Sequence, residues 1–327
     1  MNSIEANTTA ILLPLPFDYA FDYQISKDND LKMGEFVLVP FGKREVVGVV
    51  WGKANGGIPD KKLRSVIRKI DLPPLKSDFM NFIRWVSEYT LTPLGLVLKL
   101  SMSKERVLSA LSQPVGYSLT GITPDKMTSA RQKVIDVLVN FSPVKMSDLV
   151  KKSGASSSVV TGLAKQGVLT LVNLPSESIF YKLSKEPLSI KFSSEQLAVA
   201  LSFREKVKDK QFSVSLLDGV TGSGKTEVYF DAIEESLNNG TQSLILLPEI
   251  GLTPQWLERF KSRFGVLPIL WHSDLTNSRR TSVWRDVING DAKVIIGARS
   301  ALFLPFPDLG LLIVDEEHDS SFKQEDG

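Results

Sequence analysis

The stretch Gly219-Val220-Thr221-Gly222-Ser223-Gly224-Lys225-Thr226 fits the pattern G-x-x-x-x-G-K-[ST]. Its reading decides the fold of the C-terminal half. Glycines without a Cβ let backbone N–H groups close around phosphate oxygens, and a following helix N-terminus adds positive potential. Lys225 is placed to reach the β- and γ-phosphates of a nucleotide, and the Thr226 hydroxyl to hold Mg²⁺. Such a loop needs a strand before it and a helix after it. The apolar residues Val214 to Leu217 are read as that strand.

Working outward, Asp315-Glu316-Glu317-His318 follows the apolar run Leu311-Leu312-Ile313-Val314, as a Walker B element does. Asp315 is expected to bind Mg²⁺, directly or through water, and Glu316 to orient the attacking water. An acidic strand end alone is common in α/β folds; beside a phosphate loop it reads as the second half of an NTP site. Strand-like Ser243 to Leu247, Val294 to Ile296 and Leu311 to Val314 alternate with helical stretches, predicting an α/β lobe on a parallel sheet over 190–327. GTPase-type switches read guanine through an Asn-Lys-x-Asp segment. This sequence has no Asn-Lys pair, so adenine is the expected base.

The 327 residues suffice for two or three domains. Net charge is only +2, from 39 Lys and Arg against 37 Asp and Glu, so any nucleic-acid surface must be local. There is no cysteine, which excludes disulfides and cysteine-ligated zinc or iron–sulfur sites in this chain. The two histidines, His272 and His318, are too few for a multi-histidine metal site. No apolar run nears the ~20 residues of a membrane span, and 11–16 is too short and proline-broken for a signal peptide. A cytoplasmic location without membrane contact is expected.

Residues 1–105 read as β-rich. Ala10 to Leu13, Phe21 to Ile25, Glu35 to Pro40 and Glu45 to Trp51 are strand-like, the last two joined by Phe41-Gly42-Lys43-Arg44; Arg64 to Ile70 adds a further candidate. A helix is expected from Ser77 to about Tyr89 and a second after Pro93. Residues 106–128 read as a linker. Residues 129–183 contain three short helical patterns, the third ending at Gly167, then strand-like Val168 to Val172 and Ile179 to Leu183. That order suggests a winged-helix domain; a three-helix spacer or a protein-docking module fits it equally.

Longer segments narrow the family. Leu247-Pro248-Glu249-Ile250-Gly251-Leu252-Thr253-Pro254-Gln255, His272-Ser273-x-Leu275, Gly297-Ala298-Arg299-Ser300-Ala301-Leu302-Phe303 and Asp315 through Gln324 resemble the PriA family of superfamily-2 replication-restart helicases. The front end agrees, through Leu15-Pro16, Phe21-Asp22-Tyr23 and Pro40-Phe41-Gly42-Lys43. The resemblance runs along nearly the whole chain; the linker and middle domain match only in general character.

This resemblance implies a multidomain ATP-dependent 3′→5′ DNA helicase, with a β-rich N-terminal DNA-binding domain, a winged-helix domain and an incomplete RecA-like lobe. It implies recognition of abandoned forks and the start of primosome assembly. It implies ATP and Mg²⁺ as cofactors, and as partners forked and single-stranded DNA, single-stranded-DNA-binding protein and helicase-loading proteins. Residue by residue, Gln196 matches the glutamine that reads adenine, although a helix-surface glutamine is an equally simple reading. Glu249, Thr253, Arg299 and Ser300 match positions that face the single strand; Arg299 also fits an ordinary surface ion pair. Phe21, Asp22, Gly42 and Arg64 match a pocket for the 3′-terminal nucleotide of the nascent leading strand. Arg64 stands where lysine is usual, keeping the charge. The residues alone favour a plain core aromatic at Phe21, and the basic stretch up to Arg64 also fits a solvated strand end. The family's second lobe, the strand after Walker B and the zinc-binding cysteines lie beyond Gly327. The chain is therefore read as a truncated piece with weak or no ATPase activity and no unwinding. Two other readings stand beside this one: a DNA-structure-binding module with a nucleotide-sensing lobe, and a P-loop ATPase acting on another partner.

Overall fold

Phe36–Phe41 (β3) and Arg44–Lys53 (β4) carry long runs of valine and pair antiparallel, Phe41 opposite Arg44. The turn is therefore two residues, Gly42-Lys43, tighter than the four-residue loop read from sequence. Gly42 has φ +62°, which a glycine at the first central position of a two-residue hairpin loop supplies without strain. Thr8–Leu12 (β1) and Phe21–Gln24 (β2) join them, with the two-residue Arg68–Lys69 (β5), in the order β2-β1-β4-β3-β5. The computed structural model describes residues 8–26, 30–56, 59, 62–102, 115–173, 191–220, 222–248 and 253–322.

The segment expected as a long strand over Arg64 to Ile70 does something more useful than pair once. Gln24 donates its backbone N–H to Arg64 O, Val66 donates to Gln24 O, and Ile67 donates to Leu38 O. One segment thus bonds to both β2 and β3 and draws the two sides of the sheet together around Ile11, Tyr23, Val37, Val39, Val46 and Val50. Helices Ser77–Thr90 (α1) and Leu94–Ser101 (α2) follow. Helix α1 begins at Ser77 as expected, with Lys76 as its N-cap residue. The doubled Phe-Asp-Tyr of 17–19 and 21–23 splits its roles: Asp18 accepts the N–H of Leu94 at the start of α2, at 3.2 Å.

Helix Ser194–Asp209 (α6) leads to the second sheet. It is parallel, with strands Gln242–Leu246 (β8), Ile269–Trp271 (β9), Val294–Gly297 (β10) and Leu309–Val314 (β11) in the order β11-β8-β10-β9. Its helices are Lys225–Asn238 (α7), Pro254–Phe264 (α8) and Asn277–Ile288 (α9). An aromatic core of Tyr229, Phe230, Trp256, Phe260 and Phe264 packs with Ile245, Val294 and Ile296 of the sheet. Both sheets belong to one compact unit, Met1–Ser109 with Ile179–Gly327. Within it Trp284 of α9 is buried, stands edge-on to Phe36 of β3, and donates its indole N–H to Ser101 O at 2.7 Å.

The strand expected at Val214 to Leu217, ahead of the phosphate loop, is not formed. Phe212, Val214 and Leu216 are 95%, 82% and 81% exposed. A strand exists only with a ladder partner, and among the described residues β11 at the near edge of the sheet pairs with β8 alone. The apolar pattern is present but has nothing to bond to.

The other unit is Ala110–Ser178. Helices Ser129–Phe141 (α3), Met146–Ser153 (α4) and Ser157–Lys165 (α5) enclose Val134, Leu138, Leu149, Val160 and Leu163. Gly167, with φ +73°, ends the third as expected. Leu169–Asn173 (β7) pairs with a strand that the sequence reading did not anticipate, Val115–Leu119 (β6), antiparallel, from the stretch read as linker 106–128. Tyr117 and Val144 exchange backbone bonds as well, so β6 is an integral part of this domain. The expected strand Ile179 to Leu183 lies outside the described residues.

Candidate nucleotide and DNA site

The phosphate loop ends in Gly224, the N-cap of α7, at φ +85°, with Gly222 at φ +81°. No side chain caps this helix, so its first-turn N–H groups face the loop as donors. The Lys225 ammonium lies inside the loop and donates to Gly219 O at 2.6 Å. Gly219, Gly222, Ser223, Gly224, Lys225 and Thr226 therefore form one cradle of backbone donors, a cation and a hydroxyl, which fits a nucleotide's phosphates with Mg²⁺. Thr221 lies outside the described residues.

Gln196 is brought to this loop. It closes a capping box at the start of α6, accepting the Ser193 N–H at 2.9 Å, and its Nε2 donates to Ser223 O at 2.8 Å. A Cβ on Gly224 would stand 2.6 Å from that nitrogen, so the glycine is what lets Gln196 approach. The simple helix-surface reading does not describe this residue.

Asp315 follows β11 and its N–H bonds to Leu246 O, which sets it at the carboxyl ends of β11 and β8. Its Oδ1 accepts the Glu316 N–H at 3.1 Å and its Oδ2 accepts the Tyr229 hydroxyl at 2.8 Å. The same hydroxyl accepts the Trp256 indole N–H at 2.8 Å. Burial, and then the Asp315 charge, push the Tyr229 phenol well above its ordinary value, so it stays a proton donor. Glu316 has φ +51°, a left-handed conformation uncommon for glutamate. His318 Nε2 lies 3.5 Å from Glu316 Oε2, both exposed.

At the front, Arg64 donates to Gly42 O at 2.8 Å, joining the segment that closes the sheet to the β3–β4 turn. Phe21 packs edge-on to Phe17 and Phe41, with centroids at 5.1 and 5.4 Å. It is half-buried against the core, so the core-aromatic reading holds for one side of the ring. Asp22 is its neighbour on the other face of β2. Its two oxygens accept the N–H groups of Asn55 and Gly56, each at 2.9 Å. Phe21, Gly42 and Arg64 thus adjoin, while the Asp22 carboxylate is turned to the 55–56 amides.

Two families match this chain: the PriA-type 3′DNA-binding domain (3′BD) over residues 10–103, and the DEAD/DEAH box helicase over residues 202–326. The replication restart protein PriA of Haemophilus influenzae is 34% identical over 97% of the chain, that of Rickettsia felis 34% over 97%, and that of Bacillus subtilis 30% over 94%. The order of the two matches and the similarity along 94–97% of this chain decide the matter. This chain belongs to the PriA family. It spans 45%, 38% and 48% of the length of those three relatives.

The remaining positions singled out by the PriA resemblance divide. Thr253 caps α8, its Oγ1 accepting the Trp256 N–H at 3.2 Å. Arg299 and Ser300 are exposed at the start of a short 3-10 helix, Arg299–Phe303. Arg299 donates to Phe322 O at 3.3 Å. Glu249 lies outside the described residues. Sequence reasoning missed Tyr229 and Trp256. The signal was there for Tyr229: it falls four residues after Lys225 and three after Thr226, on the same helical face. For Trp256 there was none beyond an aromatic at a helix start.

Proposed function

We propose that this chain is the DNA-end-binding and nucleotide-binding part of a replication-restart helicase, an ATP-dependent 3′→5′ DNA translocase that recognises abandoned forks and starts primosome assembly. The observation that carries it is the union, in one compact unit, of a 3′DNA-binding domain with a helicase-type lobe whose phosphate loop and Asp315 converge. Gly219, Thr221, Gly222, Ser223, Gly224 and Lys225 hold the phosphates. Thr226 and Asp315 hold Mg²⁺, Glu316 orients water, and Gln196 reads adenine with the amide hydrogens and lone pair that its two protein bonds leave over. Phe21, Asp22, Gly42 and Arg64 take the 3′-terminal nucleotide; Glu249, Thr253, Arg299 and Ser300 track the single strand. ATP with Mg²⁺ supplies the free energy for translocation. Single-stranded-DNA-binding protein and helicase loaders are the expected protein partners, and residues 129–183 act as a winged helix whose sheet draws on β6.

The test is binding to two labelled forks that differ only at the leading-strand end, 3′-hydroxyl against 3′-phosphate, at one fixed salt concentration. Preference for the hydroxyl, lost in Arg64→Ala and in Asp22→Ala chains that melting shows still to be folded, is the expected result. Equal binding to both forks by the unaltered chain overturns the end-recognition part of the proposal.

A further inference from the structure

Helix α6 carries Gln196 to the phosphate loop, yet little apolar surface holds it there. Among the described residues of this 16-residue helix, Ala200 alone is buried, while Leu197 and Leu201 are 47% and 48% exposed. Polar bonds to α7 hold it instead. Gln196 donates to Ser223 O. The Arg204 guanidinium makes a forked pair with Asp231, its Nε on Oδ2 and its Nη2 on Oδ1. Lys208 lies 3.8 Å from Glu235. Each pair is 27 residues apart in sequence, so the two helices run parallel and in step. Positions 196, 200, 204 and 208 recur every four residues and share one face of α6.

The three contacts are unequal. The Lys208 side chain is mostly exposed, and a long pair of that kind holds little. Asp231 is buried and meets a planar fork, which fixes direction as well as distance. Arg263 of α8 lies 3.5 Å from the same carboxylate and also donates to Glu234, so Asp231 keeps a cation beside it when Arg204 is replaced. Arg204 stands two turns along α6 from Gln196, about 12 Å. Gln196 Oε1 accepts the Ser193 N–H in the capping box of its own helix, so the amide turns as α6 turns. A helix fixed at Arg204 as well as at its start cannot swing about the loop. The hydrogen-bonding face that the Gln196 amide presents is then set by the Arg204–Asp231 pair.

We propose that Arg204, through Asp231, is a positioning residue for nucleobase selection: it orients α6 so that the Gln196 amide meets adenine and not guanine, and takes no part in holding the phosphates. The inference rests on the reading of Gln196 as the residue that reads adenine.

The experiment displaces a fluorescent ADP from the full 327-residue chain with ADP, GDP and pyrophosphate, and reads the ratio of the GDP to the ADP dissociation constant. The unaltered chain should prefer ADP by about tenfold, the scale of one or two hydrogen bonds. Arg204→Met keeps much of the aliphatic stem and removes the fork. It should lower that ratio by about fivefold, with pyrophosphate affinity within about twofold of the unaltered chain. Arg204→Lys keeps the charge without the fork, so it should recover part of the ratio. A role in stability alone weakens ADP, GDP and pyrophosphate together and leaves the ratio where it was; that outcome overturns the proposal. Gln196→Ala tests the parent reading. A ratio that it does not lower, or equal binding of ADP and GDP by the unaltered chain, sinks adenine reading at this residue and the proposal with it. A ratio lowered in Gln196→Ala but unaltered in Arg204→Met overturns the positioning role alone. Should Arg204→Met fail to fold, as melting will report, Asp231→Asn decides: the amide keeps the shape and Arg263 keeps Glu234, so a ratio as high as the unaltered chain's rejects the pair as the positioning device.

Discussion

At the front, the candidate residues come from three separated segments and meet because residues 64–67 bond to both β2 and β3. In the helicase-type lobe, the phosphate loop is eight consecutive residues, and Gln196 and the Asp315-Glu316 pair arrive from elsewhere. The front group of residues is thus brought together by topology and the phosphate loop by local sequence. Their polar groups are held differently as well. The Asp22 carboxylate is bound by two backbone amides of a neighbouring loop, whereas Asp315 is bound by one backbone amide and one side-chain hydroxyl that itself belongs to a network. A site assembled by topology fails when the fold loosens; a local motif keeps its residues together and fails through its neighbours.

The largest expected effect breaks the comparison at the level of stability. Phe230 is fully buried and touches Tyr229, Trp256, Phe260 and Phe264. Phe230→Ala should cost about 3–5 kcal/mol in the motor lobe. Hydrogen exchange should show amides of β8 and β10 losing more protection than those of β3 and β4. Equal losses on both sheets would mean that the Trp284 contact to Ser101 and Phe36 makes them one cooperative unit, and the contrast would concern chemistry only.

Next in size is Lys225→Ala. Removing a charged donor from a phosphate site should weaken nucleotide binding by about 10–100-fold, the scale of a charge-assisted bond. Fork binding through the front domain should stay within about twofold, because among the described residues Lys225 bonds within its own loop. Titrating both ligands into one variant tests this directly. A parallel loss of fork binding would show that the two sites are coupled across the unit.

These contrasts track what could be read in advance. The phosphate loop, the β3–β4 hairpin and the end of α5 at Gly167 were plain because each is fixed by residues within one turn or one hairpin. The strand at Val214 to Leu217 was wrong for the converse reason: alternation gives a strand its faces, but only a neighbour gives it hydrogen bonds. The pairing of β7 with β6 was missed because about 50 residues separate them and nothing local marks Val115–Leu119 as a partner rather than a linker. Strand β9 is three residues long and has too little pattern to detect. In the site, Lys225, Thr226 and Asp315 were legible from spacing. The Tyr229–Trp256 bond was not, since it depends on how α7 packs against α8.

Asp22→Asn sharpens the front half of the comparison. The amide keeps the shape but must turn one N–H₂ toward a backbone N–H, so a bond to Asn55 or Gly56 is lost. A stability loss of about 1 kcal/mol is expected in thermal unfolding, with the preference for a 3′-hydroxyl reduced rather than abolished. Full retention of that preference would place the carboxylate's role in holding the 55–56 loop, not in meeting the DNA end.

The smallest effect separates two uses of glycine. Gly42 and Gly224 both have positive φ, +62° and +85°. A Cβ at Gly42 meets nothing within 4 Å, whereas one at Gly224 meets Gln196 Nε2 at 2.6 Å. Gly42→Ala should therefore cost only the backbone term, about 1 kcal/mol, read as a small drop in melting temperature. Gly42→Asn should cost less, since asparagine tolerates that region better. Gly224→Ala carries the same backbone term and also displaces Gln196 from Ser223 O. If the open space at Gly42 exists for a nucleotide, Gly42→Ala will lower 3′-end affinity by more than its stability loss explains. If it exists only because a two-residue turn needs it, Gly42→Asn will restore both stability and binding together.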